Sequence, residues 1–240
     1  MDACGCDGFA SIFDRRTAER DRDRYRREGP DRTTHLLLEM IAPYVVGGAT
    51  VLDIGGGIGI IDRELLRAGA GRAVLVDASP AYLAVARNEA RLASQLDRIE
   101  FVDGDFVRRA SAIDPADIVT LDRVVCCYPD AEALISLSAA RARRVYGLVL
   151  PRDRRLVRLA VRLINIGSRV RRRTYRAYAH PNGRIDELVA AQGLRPRSEA
   201  STFFWRVVVY DRETEGPAAG TAEPGGRSVR AAPTSAAATR

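Results

Sequence analysis

The chain has 240 residues, 46% of them hydrophobic and 29% charged, which is enough for one full-sized core and predicts one α/β domain with extensions. No apolar run approaches the roughly 20 residues that cross a bilayer, and residues 1–14 hold no leader-like apolar stretch, so a cytoplasmic protein is expected. The net charge of +7 is uneven: thirteen Arg and one acid, Asp153, lie between Arg141 and Arg176, so the remainder is net acidic.

Residues 1–48 read as an N-terminal helical extension, a candidate lid. Phe9, Ile12 and Phe13 precede a densely charged stretch from 15 to 28, which Gly29-Pro30 breaks. Asp31 then stands where it can cap a helix through Leu36, Leu37, Met40 and Ile41, ended by Pro43. From 49 to 212 the pattern is strand, turn, helix, repeated. Strands are predicted over 50–54, 73–77, 99–102, 117–121 and 145–150, with helices over 60–68, from Ser79-Pro80 onward, and over 131–140. These strands lack two-residue alternation, which suits burial on both faces. Alternating β and α at this spacing points to a doubly wound, Rossmann-like, mostly parallel sheet. The aromatic and β-branched run over 202–210 is a further strand. Residues 213–240 are dominated by Gly, Pro, Ala, Ser and Thr, which predicts a disordered tail.

The sharpest motif is Asp53-Ile54-Gly55-Gly56-Gly57-Ile58-Gly59, an acid delivered by a strand into a D-x-G-x-G-x-G turn that opens a helix. Glycines there let the backbone bend sharply and let a ligand approach without a Cβ between. The dinucleotide pattern G-x-G-x-x-G fails because its third glycine falls on Ile60, and no Gly-Lys-Ser/Thr follows. Asp77 ends the next strand, eighteen residues beyond Gly59, where an acid followed by Ala78 suits a ribose diol. After the third strand come Asp105, placed to accept from an adenine amino group, and Phe106, placed to pack on the ring. Over 49–210 these elements resemble the class I S-adenosylmethionine (SAM)-dependent methyltransferases. The resemblance implies a seven-stranded sheet with its last strand antiparallel and SAM as cofactor. It implies a cofactor set of Asp53, Gly55, Gly56, Gly57, Gly59, Asp77, Ala78, Asp105, Phe106 and Asp122.

The acceptor side is read from Asp122-Arg123-Val124-Val125-Cys126-Cys127-Tyr128-Pro129 and from Arg176-Ala177-Tyr178-Ala179-His180. These are similar in order to magnesium-protoporphyrin IX methyltransferases, which esterify a propionate. Those enzymes commonly show His before Tyr-Pro where this chain has Cys127. What carries over is therefore O-methylation of a small molecule bearing a carboxylate or hydroxyl, not a named tetrapyrrole. Tyr128 and His180 are the candidate catalytic groups, while Tyr25 and His35 fit surface or packing roles. Cys4, Cys6, Cys126 and Cys127 form neither a metal pattern nor a disulfide framework, so reduced thiols and no metal are expected. Two other readings stay open, a nucleic-acid methyltransferase and a SAM-binding regulator without catalysis, although no stable nucleic-acid partner is expected. The basic stretch 152–166 repeats Leu156, Leu159, Leu163 and Ile166 at helical spacing, with Arg155, Arg158 and Arg162 on another face. The plain expectation is a core-packed cap with a solvated face. The alternatives are an acidic-acceptor site and a peripheral membrane contact.

Overall fold

The computed structural model describes residues 13–171 and 176–212. The predicted tail over 213–240, and Cys4, Cys6, Phe9 and Ile12, lie outside the described residues. The N-terminal extension forms α1 (Arg15–Glu28) and α2 (Arg32–Ile41). Asp31 caps α2 as its position predicts, accepting from the Thr33 and Thr34 amides at 3.0 and 3.1 Å. Asp14 does the same for α1 through the Thr17 amide at 2.8 Å.

The rest of the chain alternates as expected: β1 (Thr50–Ile54), α3 (Ile60–Arg67), β2 (Arg72–Asp77), α4 (Pro80–Leu92), β3 (Ile99–Asp103), α5 (Phe106–Arg109), β4 (Ala116–Asp122), α6 (Ala131–Ala139) and β5 (Ala142–Pro151). Then come α7 (Arg155–Val170), α8 (Asn182–Ala191), β6 (Leu194–Ser201) and β7 (Trp205–Arg212). The seven strands make one sheet in the order β3-β2-β1-β4-β5-β7-β6. Neighbours from β3 to β5 pair in parallel, and β7 runs antiparallel between β5 and β6.

The apolar strands are buried because helices cover both faces. Leu37, Ile41, Leu65 and Leu83 pack one side, and Phe106, Leu134, Ile135 and Val189 the other. The extension reaches the sheet because β5 carries Gly147, where a Cβ would stand 2.9 Å from both Leu37 and Ile41. The sequence reading places no strand over 194–201. This edge strand is mostly exposed and its register shifts between Pro196 and Ser198, so no apolar run marks it.

The expectation for 152–166 fails in one respect. The residues that α7 buries are Val157 and Val161, whereas Leu156, Leu159, Leu163 and Ile166 are 65, 50, 59 and 58% exposed. Asn165 helps set this rotation: its amide donates to the Ala177 carbonyl and accepts from the Ala177 N–H, both at 2.8 Å. Among the described residues no helix is long and apolar enough to cross a membrane.

Candidate active site

Strand order reverses between β1 and β4, and ligands in open α/β sheets bind in the crevice beyond the carboxyl ends at such a point. A cavity of about 500 Å³ lies there, lined from the first turn by Ile54, Gly55 and Gly57, and from the end of β2 by Val76, Asp77 and Ala78. That volume suits a cofactor together with part of a small acceptor.

Gly55 and Gly57 sit at φ 68° and 57°, the left-handed region that a side chain disfavours. The turn is pinned to the next strand by Asp77, whose Oδ2 accepts from Gly57 N–H at 2.9 Å and whose Oδ1 accepts from Ser79 N–H at 2.7 Å. Burial raises the Asp77 pKa while these two amides oppose the rise. A carboxylate has about four acceptor positions, so two amides leave room for a diol.

Asp53, Gly56 and Gly59 belong to the expected cofactor set, yet they do not line the cavity. Asp53 is 1% exposed beneath the turn, where it accepts from Thr120 Oγ1 at 2.7 Å. Gly56 lies directly above it, since a Cβ there would stand 2.6 Å from Asp53 Oδ2. Gly59 is the cap residue of α3. The neighbour of Asp53 is a second buried acid, Asp62. Burial pushes the Asp62 pKa up to about 7, and burial together with the Asp62 charge drives Asp53 upward as well. The pair therefore carries a proton near neutrality and shapes the turn from below.

Ala78, Asp105 and Phe106 line the cavity. Asp105 caps α5 through Val107 N–H at 3.0 Å, and both its oxygens lie 3.0 Å from the Tyr128 hydroxyl. Tyr128 thus ties the acid after β3 to the loop after β4, with its ring in the cavity wall.

Asp122 and Arg123 close the β4 side. Arg123 has φ 61°, uncommon for a residue with a side chain, and it lines the cavity. Its guanidinium bonds Asp31 of the extension and stands 2.9 Å from Asp122 Oδ1, while Thr34 Oγ1 donates to Asp122 Oδ2 at 2.5 Å. Burial would raise Asp31, but the Arg123 charge and the capping hydrogen bonds bring its pKa down to about 2. Burial raises Asp122, against the Arg123 charge. Asp122 Oδ1 is buried, with the Arg123 guanidinium as its ion-pair partner.

Arg123 lies in the acceptor-side run that the sequence reading named, but that reading missed Phe13, Asp21, Arg24 and Trp205 as cavity residues. Their placement is long-range: Tyr82 OH donates to Asp21 Oδ2 at 2.6 Å, and Ser79 Oγ donates to the Phe13 carbonyl at 2.7 Å. Of these, sequence offered a usable signal only for Trp205, the single tryptophan.

His180 does not reach the cavity. Its Nε2 lies 3.2 Å from the Tyr128 carbonyl, its ring stacks on Tyr178 at 5.5 Å, and Tyr178 N–H donates to the Cys126 carbonyl at 2.7 Å. Burial lowers the His180 pKa, so the ring is neutral and serves as a brace behind the loop. Tyr25 donates to Glu64 and His35 pairs with Glu39, both outside the cavity. Cys126 and Cys127 line it as thiols with Sγ atoms 3.6 Å apart; their contact and burial push the Cys126 pKa up. Arg155, Arg158 and Arg162 are absent from its wall, whose arginines are Arg24 and Arg123.

Residues 51–145 match the family model described as a methyltransferase domain. Over that stretch the chain resembles methyltransferase domains, and its sheet has the fold of the class I SAM-dependent methyltransferases. It is 30% identical over 122 residues to the ribosomal protein L11 methyltransferase of Pelotomaculum thermopropionicum, covering 51% of this chain and 38% of that protein. It is 33% identical over 86 residues to the ubiquinone/menaquinone biosynthesis C-methyltransferase of Roseobacter denitrificans, covering 35% of this chain and 34% of the other. The chain thus spans little more than a third of the curated relatives it matches. In fold it is similar to the magnesium protoporphyrin IX methyltransferase of Synechocystis with bound SAH. The TM-score there is 0.61 and the identity 22%, over 79% of this chain and 93% of that one. SAM is the cofactor of methyltransferases of this fold, and the bare glycine turn and the buried Asp77, with acceptor positions left for a diol, fit it.

Proposed function

We propose that the protein is a SAM-dependent methyltransferase that O-methylates a small molecule bearing a carboxylate or hydroxyl. The observation that carries this reading is one continuous cavity running from Asp77 and the glycine turn to Arg24, Arg123 and Tyr128. In this reading residues 49–212 are the catalytic domain and the extension is its lid, held by the Asp31–Arg123 and Tyr82–Asp21 contacts.

Bound SAM supplies an electrophilic methyl group on its sulfonium. Asp77 accepts from the ribose hydroxyls, Asp105 and Phe106 meet the adenine, and Asp122 offers negative charge to the cationic end. Arg24 offers positive charge to an acidic acceptor at the wall, while Arg123 stays paired with Asp31 and Asp122. In-line displacement is governed mainly by such positioning. A carboxylate acceptor needs no base near neutral pH. His180 acts only through the position of Tyr128.

The test is incubation with methyl-labelled SAM and a panel of carboxylic acids, phenols and RNA. The reading expects label in a small-molecule ester or ether. Label in RNA would favour the nucleic-acid alternative, and SAM binding without transfer to anything would favour the regulator.

A further inference from the structure

Nine large apolar side chains are exposed among the described residues, and six of them lie on α7: Leu156, Leu159, Leu163, Ile164, Ile166 and Val170. With about 100° per residue, all but Ile164 fall within an arc of about 80°. Val157 and Val161 occupy the opposite, buried side. Arg155, Arg158, Arg162 and Arg169 fill the sector between the two, so the outward surface is an apolar ridge with a guanidinium strip along one flank. Asp153, the one acid nearby, pairs with Arg158 at 2.5 Å. Among the described residues no ion pair engages Arg155, Arg162 or Arg169.

We propose that α7 is an interfacial helix that seats the protein on an anionic lipid surface. Leu159 and Leu163 enter the acyl–headgroup boundary and Arg155, Arg162 and Arg169 meet lipid phosphates. Charge decides among the occupants. A second copy docked ridge to ridge would bring two arginine strips together with no acid on α7 to offset them. Nucleic acid would use the strip but leave the ridge in water. Residues 213–240 contain a single large aliphatic residue, Val229, too few to cover the ridge.

The docking face is joined to the cavity wall. Ahead of α7, Arg152 N–H donates to the Phe204 carbonyl at 2.8 Å, beside exposed Phe203 and the cavity residue Trp205. Beneath it, Asn165 holds Ala177, whose neighbour Tyr178 bonds Cys126 of that wall.

Co-sedimentation tests this with vesicles of phosphatidylcholine alone and of equal parts phosphatidylcholine and phosphatidylglycerol. The full chain should pellet with the mixed vesicles and far less with the neutral ones, and added salt should weaken binding. The variant R155Q/R162Q/R169Q should bind about a hundredfold more weakly at low salt. The variant L159S/L163S should bind at least about tenfold more weakly. Circular dichroism melting of both should match the wild type, and SAM affinity, read separately by calorimetry, should stay unchanged because none of the five residues lines the cavity. Wild-type protein that stays in solution with both vesicle types would overturn the proposal, as would two variants that pellet like the wild type. So would sedimentation velocity showing a dimer that L159S/L163S dissociates while no lipid is bound.

Discussion

On the β1–β2 side of the cavity, shape comes from backbone: a turn at positive φ, two amides on Asp77, and a buried acid pair below. On the β4–β5 side it comes from side chains of distant segments, where Asp31 and Thr34 meet Asp122 and Arg123 across about ninety residues of sequence. The first wall is preorganised by local geometry and tolerates little change. The second is an assembly whose parts can be removed singly, which is the construction expected where acceptors vary and the cofactor does not.

The sharpest way to break the first wall is Gly55→Val. A Cβ there overlaps the Val124 side chain and the backbone lies in the left-handed region. We expect about 3 kcal/mol of lost stability and no measurable SAM binding; denaturant unfolding and calorimetry read both. An unaltered midpoint would mean that the turn is soft.

Removing Asp31 from the second wall should cost less. Asp31→Ala deletes the α2 cap and the partner of Arg123, for about 1–2 kcal/mol by denaturant unfolding. SAM affinity should fall only a fewfold, because the variant disturbs the N-terminal extension and not the turn.

The acid pair gives a pH test of similar size and opposite sign. Folded Asp62 keeps its proton to about pH 7, whereas an unfolded Asp loses it near about pH 4. The folded chain thus binds more protons in between, and stability falls as pH rises through that window. Asp62→Asn should flatten this slope and make the protein about 1–2 kcal/mol more stable than wild type at pH 8. A slope unchanged in the variant would assign it to other groups.

The smallest effect is expected at His180. His180→Gln should slow methyl transfer by no more than about threefold and leave the pH–rate profile in place, because the ring braces Tyr128 from outside the cavity. Loss of a limb of that profile would make it a catalytic base.

The two walls also differ in how far sequence reveals them. The strand–turn–helix order, the Gly55–Gly57 turn, Asp77 and the Asp31 cap are local patterns, and each stands where residue type and spacing predict. Asp53 misled because a motif position does not say which way a side chain turns: its partners, Thr120 and Asp62, are set by tertiary packing. Arg24 and Trp205 meet the cavity only after the extension folds back and β7 inserts between β5 and β6. In α7 the periodicity was visible, but two valines and Asn165, not the leucine ridge, face the protein.

The central claim is that Asp77 and the glycine turn hold SAM, and titration of SAM into wild type and Asp77→Ala tests it most directly. Loss of a charged acceptor for the ribose hydroxyls should weaken binding about ten- to a hundredfold in a variant that still melts cooperatively. Equal affinity in the two folded proteins would contradict the account and move the cofactor elsewhere.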